Sequence, residues 1–155
     1  MTSRITQVIV GLVALLSLSR GRPAVAAAAS TGPPKKVFIA VMNGGQVVPP
    51  SISNAFGVGY LTFDTVTKRV CYSISYSGLQ GTETEAHLHG GESGTTNAVL
   101  YDLTPLSSPK MGCLGPITKT EQKLLLKGQM YINIHTDLFV AGELRGQVVP
   151  VPTVR

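Results

Sequence analysis

The sequence predicts an all-β fold: an antiparallel Greek-key-like sandwich or partly closed barrel of about seven strands, with one short helix. Its 155 residues include 17 glycines and 10 prolines but only 14% charged residues, which is typical of short strands joined by many turns. Apolar and β-branched segments recur at short intervals and do not alternate with helices as in a βαβ fold. The sequence therefore predicts one domain whose core lies between strands.

Seven segments have strand-like patterns bounded by turn residues. In chain order they are residues 37–42, 56–63, 70–76, 85–89, 98–103, 130–136 and 142–149. Residues 64–68 predict a hairpin loop between the second and third strands, and the glycine-rich residues 90–94 predict a flexible connection after the fourth.

Residues 119–127 predict the one helix, inserted between strands. Thr118 and Glu121 have the spacing of a capping box, in which each side chain binds the other residue's backbone N–H. Gly128 stands where such a helix would stop, because glycine readily adopts the left-handed conformation that ends helices.

The first 26 residues predict a secretory signal peptide. Arg4 supplies the positive start, residues 8–18 form the apolar stretch, and residues 24–26 (Ala-Val-Ala) match the signal-peptidase pattern. The alternative is an uncleaved membrane anchor, but the apolar stretch is too short to span about 30 Å of hydrocarbon. We therefore expect secretion to the extracellular space or periplasm, with no stable membrane span after cleavage. A flexible leader (27–35), a folded domain (36–150) and a C-terminal tail (151–155) follow.

The charge distribution argues against a nucleic-acid partner. The full chain has a formal net charge of +5, and loss of residues 1–26 removes three arginines and leaves +2. The remaining lysines and arginines are scattered, without the dense basic cluster and interleaved aromatic residues of a nucleic-acid surface.

The two cysteines, Cys71 and Cys113, most simply form one disulfide in an exported protein, because oxidising compartments retain such bonds. Two buried free thiols are the alternative.

All three histidines of the chain lie in predicted strands. The two-residue period places Glu85, His87 and His89 on one strand face, with Ala86 and Leu88 on the other. In a second strand the same period groups Tyr131, Asn133 and His135, with Ile132 and Ile134 on the core side. Both histidine groups are therefore expected on a polar face outside the core.

Histidines at i and i+2 on a strand can turn their rings toward one ion, and a neighbouring strand could add His135. A site of His87, His89 and His135 with an open fourth position suits copper or zinc. Glu85, Glu143 or Asn133 could be a fourth ligand or hold a ring in place. Two alternatives remain: a hydrogen-bonded polar cluster, and a catalytic or ligand-binding role without metal.

Glu143 and Arg145 share a strand face opposite Leu144. They could orient a histidine or bind an anionic ligand, but cross-strand ion pairs are the more ordinary role for such residues.

Several enzyme classes are excluded by missing motifs. The sequence contains no G-x-S-x-G elbow, no H-E-x-x-H zinc-protease motif and no GxxxxGK[ST] phosphate-binding loop. No catalytic residue is therefore assigned.

The chain resembles the CHRD domain, the module first named from chordin. The resemblance rests on residues 45–50 (GQVVPP), Gly57, residues 76–79 (YSGL), 86–90 (AHLHG), 131–136 (YINIHT) and 142–147 (GELRGQ). It departs from the family at Val47, where Glu is common. The resemblance implies an extracellular or periplasmic β-rich module with no established enzymatic activity.

Three functions are consistent with these observations. The first is a secreted binding or structural module in which the three histidines hold copper or zinc, and whose partner is an extracellular protein or polysaccharide. The second is a metal-dependent redox or hydrolytic enzyme that uses the same histidines, with Glu85 or Glu143 handling protons. The third is a matrix or adhesion protein whose histidines only brace the fold.

Overall fold

Residues 35–152, the part of the chain described by this computed structural model, form one sheet of eight antiparallel strands that is nearly closed into a barrel. The predicted all-β fold is therefore confirmed. All of these residues belong to one compact unit. The predicted signal peptide, the leader before Lys35 and residues 153–155 lie outside the described residues.

The strands are β1 (Lys35–Asn43), β2 (Phe56–Asp64), β3 (Val70–Ser77), β4 (Glu83–Gly90), β5 (Val99–Asp102), β6 (Lys110–Leu114), β7 (Met130–Thr136) and β8 (Leu144–Pro150). Their order across the sheet is β5-β4-β7-β8-β1-β2-β3-β6. A short 3-10 turn, Gly44–Gln46, follows β1, and one helix, α1 (Lys119–Leu126), lies between β6 and β7.

Seven of the eight described strands were predicted, and β6 was not. The sequence of β6, Lys-Met-Gly-Cys-Leu, shows no alternation of apolar and polar residues, because the fully buried inward residue is a lysine, Lys110. The Lys110 ammonium binds Glu83 in β4, and the Tyr76 hydroxyl donates to the same carboxylate. This buried network connects β6 with β4, the strand beside the other edge of the sheet. It satisfies a charge that would otherwise be costly to bury.

The core follows the two-residue alternation of the strands. Ala86 and Leu88 of β4, Ile132 and Ile134 of β7, and Leu144 of β8 are all buried, as predicted. Each large apolar side chain buried in this way contributes about 1.5–3 kcal/mol relative to exposure. The opposite faces of β4 and β7 are thereby fixed outside the core.

Helix α1 begins with the predicted capping box. Thr118 accepts a hydrogen bond from the Glu121 backbone N–H, and the Glu121 carboxylate accepts one from the Thr118 N–H. The helix ends one residue before the predicted boundary, with Lys127 as its C-cap. Gly128 has a φ of 70°, in the left-handed region where glycine carries little penalty.

The disulfide and the predicted hairpin loop are both present. Cys71 and Cys113 face each other across β3 and β6 and are bonded. The Asp64 carboxylate accepts hydrogen bonds from the backbone N–H groups of Val66 and Thr67, which organises the loop between β2 and β3. No helix among residues 35–152 has the length and apolar character needed to cross a membrane.

Candidate metal centre

The two strands that carry the histidines are neighbours in the sheet. β4 and β7 pair antiparallel, with Glu85 opposite His135, His87 opposite Asn133 and His89 opposite Tyr131. Sequence alone could place each histidine on an outward face but could not pair the strands. The pairing brings His87, His89 and His135 together, and we refer to these three residues as the histidine cluster.

The histidine cluster is compact enough for one ion. One nitrogen from each ring can be chosen so that all three lie within 4.8 Å of one another. The ring of His87 lies 5.6 Å from that of His89 and 5.0 Å from that of His135, centroid to centroid. Nitrogens bound to zinc at about 2.0 Å in a tetrahedron are roughly 3.3 Å apart. Ring movements of an ångström or so would therefore complete the geometry.

Backbone carbonyls hold two of the rings from outside. The Nδ1 of His89 lies 2.8 Å from the Asn97 carbonyl oxygen, and the Nδ1 of His135 lies 2.9 Å from that of Val140. A carbonyl oxygen can only accept, so each Nδ1 carries the hydrogen. The Nε2 of both rings is therefore left with a lone pair.

His87 is oriented differently, by carboxylates. Its Nε2 lies 3.5 Å from Asp102 Oδ1 and 3.9 Å from Glu85 Oε2. Both acids favour a hydrogen on Nε2, which leaves the lone pair on Nδ1. Histidines that bind metals commonly have such a carbonyl or carboxylate at the nitrogen that faces away from the ion.

Two of the three inward nitrogens are buried without a hydrogen-bond partner among the described residues: His87 Nδ1 and His89 Nε2. The third, His135 Nε2, lies 3.1 Å from the Asn133 amide nitrogen, which also donates to the Ala141 carbonyl. Buried polar atoms are normally paired, because an unpaired one costs about 1–3 kcal/mol. Two such atoms in one cluster need an explanation.

Burial favours the neutral imidazole. Desolvation lowers the pKa of His87, and the nearby His135 lowers it further, against opposing effects of Glu85 and Asp102. Desolvation also lowers the pKa of His89, opposed by its hydrogen bond to Asn97. Because both shifts run downward from 6.5, both rings are mainly neutral at pH 7, the form that binds metal ions.

An aromatic stack supports His89. Its ring lies parallel to that of Tyr131, with centroids 4.6 Å apart, and the Arg145 guanidinium lies 3.5 Å from the Tyr131 centroid. Arg145 also donates to the Glu92 carbonyl, and the Asn97 N–H donates to the Tyr131 hydroxyl. The stack thus connects the histidine cluster to the loop that follows β4.

Glu143 does not join the histidine cluster. Its fully buried carboxylate accepts hydrogen bonds from Ser53, Thr136 and the N–H groups of Gln80 and Gly81. Among residues 35–152 neither Glu143 nor Arg145 forms an ion pair, so the expected cross-strand ion pairs are wrong. Neutral donors satisfy the acid, while an aromatic ring and a carbonyl satisfy the arginine.

Sequence reasoning missed Asp102, Asn97 and Val140. Asp102 lies in β5 directly opposite His87. Asn97 and Val140 act through backbone carbonyls, so their side chains leave no sequence signal. Only the pairing of β4 with β5 could have identified Asp102.

The family model described as the CHRD domain matches residues 38–148, nearly the whole of the described sheet. No curated protein and no solved structure matches the chain.

Proposed function

The chain belongs to the CHRD domain family, and on that premise we propose that it is a secreted, non-catalytic module that binds one copper or zinc ion through His87, His89 and His135.

The observation that carries the proposal is the pair of unpartnered buried nitrogens, His87 Nδ1 and His89 Nε2. A polar cluster that served only to brace the fold would satisfy these atoms internally. Here two of the rings are hydrogen-bonded at their outer nitrogens, to the Asn97 and Val140 carbonyls. A metal ion would satisfy both unpartnered nitrogens, and His135 Nε2 would bind it in place of its hydrogen bond with the Asn133 amide.

The donor set selects the class of ion. Three imidazole ligands suit zinc and copper, whereas magnesium and calcium require oxygen ligands. Neither Glu85 nor Glu143 is a member of the ligand group. We therefore assign Glu85 to the surroundings of His87 and exclude Glu143 from the proposed metal site. We expect the fourth coordination position of the metal to be open to water or an external ligand.

Secretion is part of the proposal. The signal-peptide pattern in residues 1–26 and the Cys71–Cys113 disulfide both support an oxidising compartment outside the cytoplasm. An extracellular protein or polysaccharide is the partner class that such a module would meet.

The test is the metal content of untagged protein from an exported preparation, measured by mass spectrometry, with copper and zinc titrations of the metal-free form. The chain has no histidine outside the histidine cluster and no free cysteine, so a bound soft metal has few other ligands. We expect about one ion per chain. Binding should be lost in His87→Ala/His89→Ala and retained in Thr84→Ala, an exposed position on the same strand.

Thermal stability separates metal binding from bracing. A metal at one hundred times its Kd adds about 2.7 kcal/mol to the free energy of unfolding of the wild type and nothing to the double variant. If metal leaves the wild-type melting temperature unchanged and no ion is retained, the proposal is wrong and the histidines only brace the fold.

The enzymatic alternative has one observation in its favour, a pocket of about 250 Å³ beside His87 that is lined by Glu85, Asp102 and Leu106. Its exposed carboxylates could handle protons for a reaction at the metal. Turnover of a redox or ester substrate that requires added metal and disappears in His87→Ala would favour the enzyme over the binding module.

A further inference from the structure

The outward side of β1, β2 and β6 carries large apolar side chains, and the neighbouring strand β3 presents only small residues there, Cys71, Ser73, Ser75 and Ser77. We define the outer face as the outward positions of these four strands other than Lys35 and Asp64, together with Val149 at the end of β8. Its large exposed side chains are Val41, Phe56, Val58, Tyr60, Met111 and Val149. None of the positions of the outer face carries a charge, and Lys35 and Asp64 lie opposite each other at one end of it. A solvated antiparallel sheet normally shows polar residues there.

In the first half of strand β2 the large side chains point to solvent and the inward positions are glycines. Phe56, Val58 and Tyr60 point outward, while the inward positions between them are Gly57 and Gly59. A Cβ at Gly59 would lie 2.7 Å from Ile132, and one at Gly57 would lie 2.7 Å from Met42. The core therefore has no room for larger residues at these positions, and the outward side chains contribute little to it.

The strand register joins these residues into one continuous surface. Val149, Ile39, Tyr60, Ser73 and Met111 lie side by side across five strands. Val41, Val58 and Ser75 form the next row. Contiguous apolar surfaces of this kind mark interaction sites far more often than single exposed apolar residues do.

The surface has the size of a small interface. Five strands about 4.8 Å apart and four rows of outward residues cover roughly 24 Å by 20–25 Å, or about 500–600 Å². Two such faces together cover about 1,000–1,200 Å², at the lower limit for a specific interface.

We propose that the outer face is the interface of a homodimer, in which two copies pack sheet against sheet across a twofold axis. Without residues 1–26 the chain keeps a net charge of +2, whereas the outer face carries no charge, so a second copy meets it without bringing like charges together. An oppositely charged partner would gain nothing from this surface. Identical sheets pack about 10 Å apart, and twofold dimers are the commonest assemblies.

The proposal is independent of the metal centre. The histidines lie on β4 and β7, whereas the outer face lies on β1, β2, β3 and β6. Each dimer would therefore present two separate histidine clusters. The small area predicts a dimer that dissociates on dilution in the micromolar range.

The test is sedimentation of the exported protein from low to high micromolar concentration. We expect the molecular mass of the wild type to double across this range. Val58→Lys, at the centre of the outer face, should remain monomeric throughout. Val66→Lys provides the matched control, because Val66 is an equally apolar residue, 68% exposed, in the loop between β2 and β3.

A second variant guards against misfolding. Met111 is 68% exposed on the edge strand β6, where lysine is well tolerated, so Met111→Lys should also weaken the dimer while its unfolding temperature stays unchanged. A wild type that stays monomeric at every concentration overturns the proposal. So does a dimer that survives both Val58→Lys and Met111→Lys in folded protein. Metal content, measured on the same samples, reports on the histidine cluster separately.

Discussion

At the scale of single residues, Glu143 shows how a buried carboxylate is stabilised without a cation. Burial by itself raises the pKa of this carboxyl, but hydrogen bonds from Ser53, Gln80, Thr136 and Gly81 outweigh it and hold the pKa below 4.5. The acid, which directly precedes β8, therefore joins the start of that strand to the loop before β4 and to the loop after the 3-10 turn. It organises the fold beside the histidine cluster and is not part of that cluster.

Glu143→Gln should destabilise the protein by about 2–3 kcal/mol at pH 7. The NH₂ group of the new amide would face hydroxyl and backbone N–H donors that need an acceptor. A carboxyl with a lowered folded-state pKa stabilises above its unfolded pKa, and that stability is lost as the pH falls through the folded pKa. The difference in the free energy of unfolding between wild type and variant should therefore be constant from pH 8 to 6 and become smaller below about pH 4.5. Urea unfolding across this pH range measures the difference. A difference that becomes larger in acid would contradict the role assigned to the ionised Glu143 carboxylate.

Asp102 provides a residue-scale test of the proposed metal site. Its carboxylate lies nearer to His87 than that of Glu85 does. Asp102→Asn should weaken copper or zinc binding roughly 10–100-fold, because the carboxylate orients the ring and raises its basicity. Glu85→Gln removes the same charge from a greater distance and should have a smaller effect. Competition titrations compare the two, and equal losses would indicate a general charge effect instead.

At the scale of elements, α1 supports the loop that holds His89. The Gln129 N–H donates to the Leu124 carbonyl, and the Gln129 carbonyl accepts from the Gly91 N–H. Gln147 in β8 donates to the carbonyls of both Gly91 and Gly128. The C-terminal end of the helix and the start of the loop between β4 and β5 are therefore held together, and that loop supplies the Asn97 carbonyl.

Thr118→Ala should lower the free energy of unfolding by about 1 kcal/mol, because it removes the N-cap acceptor of α1. Thr120→Ala, inside the same helix, is the matched control and should be neutral or slightly stabilising, because alanine has the higher helix propensity. Thermal or urea unfolding of both variants gives the comparison. Equal effects would mean that the cap contributes nothing measurable.

At the scale of the whole molecule, three connections act on the strands near the sheet edges. The disulfide joins β6 to β3, and the Lys110–Glu83 pair joins β6 to β4. The Tyr72 hydroxyl adds a hydrogen bond from β3 to the Thr104 carbonyl, just after β5. The disulfide reinforces the paired strands β3 and β6, whereas the Lys110–Glu83 and Tyr72–Thr104 contacts hold the nearly closed sheet where the strand ladder itself does not continue.

Cys71→Ser/Cys113→Ser should cost about 3–4 kcal/mol, because the bond closes a loop of about forty residues in the unfolded chain. Metal binding should persist in the folded variant, since the histidines lie on other strands. Unfolding is measured with and without reductant, and the reductant should destabilise the wild type only. A wild type insensitive to complete reduction would show that the bond is not needed for stability.

The sequence by itself determined the fold class, seven of the eight described strands, the capped helix and the outward position of each histidine. These features depend on hydrophobic periodicity and turn residues, which can be recognised within short segments of the sequence. The buried Ala86 and Leu88, with His87 and His89 opposite them, are the clearest case.

Only the tertiary structure decided which strands are neighbours. It paired β4 with β7 and with β5, and so brought His135 and Asp102 to His87. It placed Glu143 among neutral donors and gave Lys110, in the unpredicted β6, a buried partner from a distant strand. The physical reason is that strand pairing and the pairing of buried charges join residues that are far apart in the sequence. They therefore depend on the packing of the whole sheet.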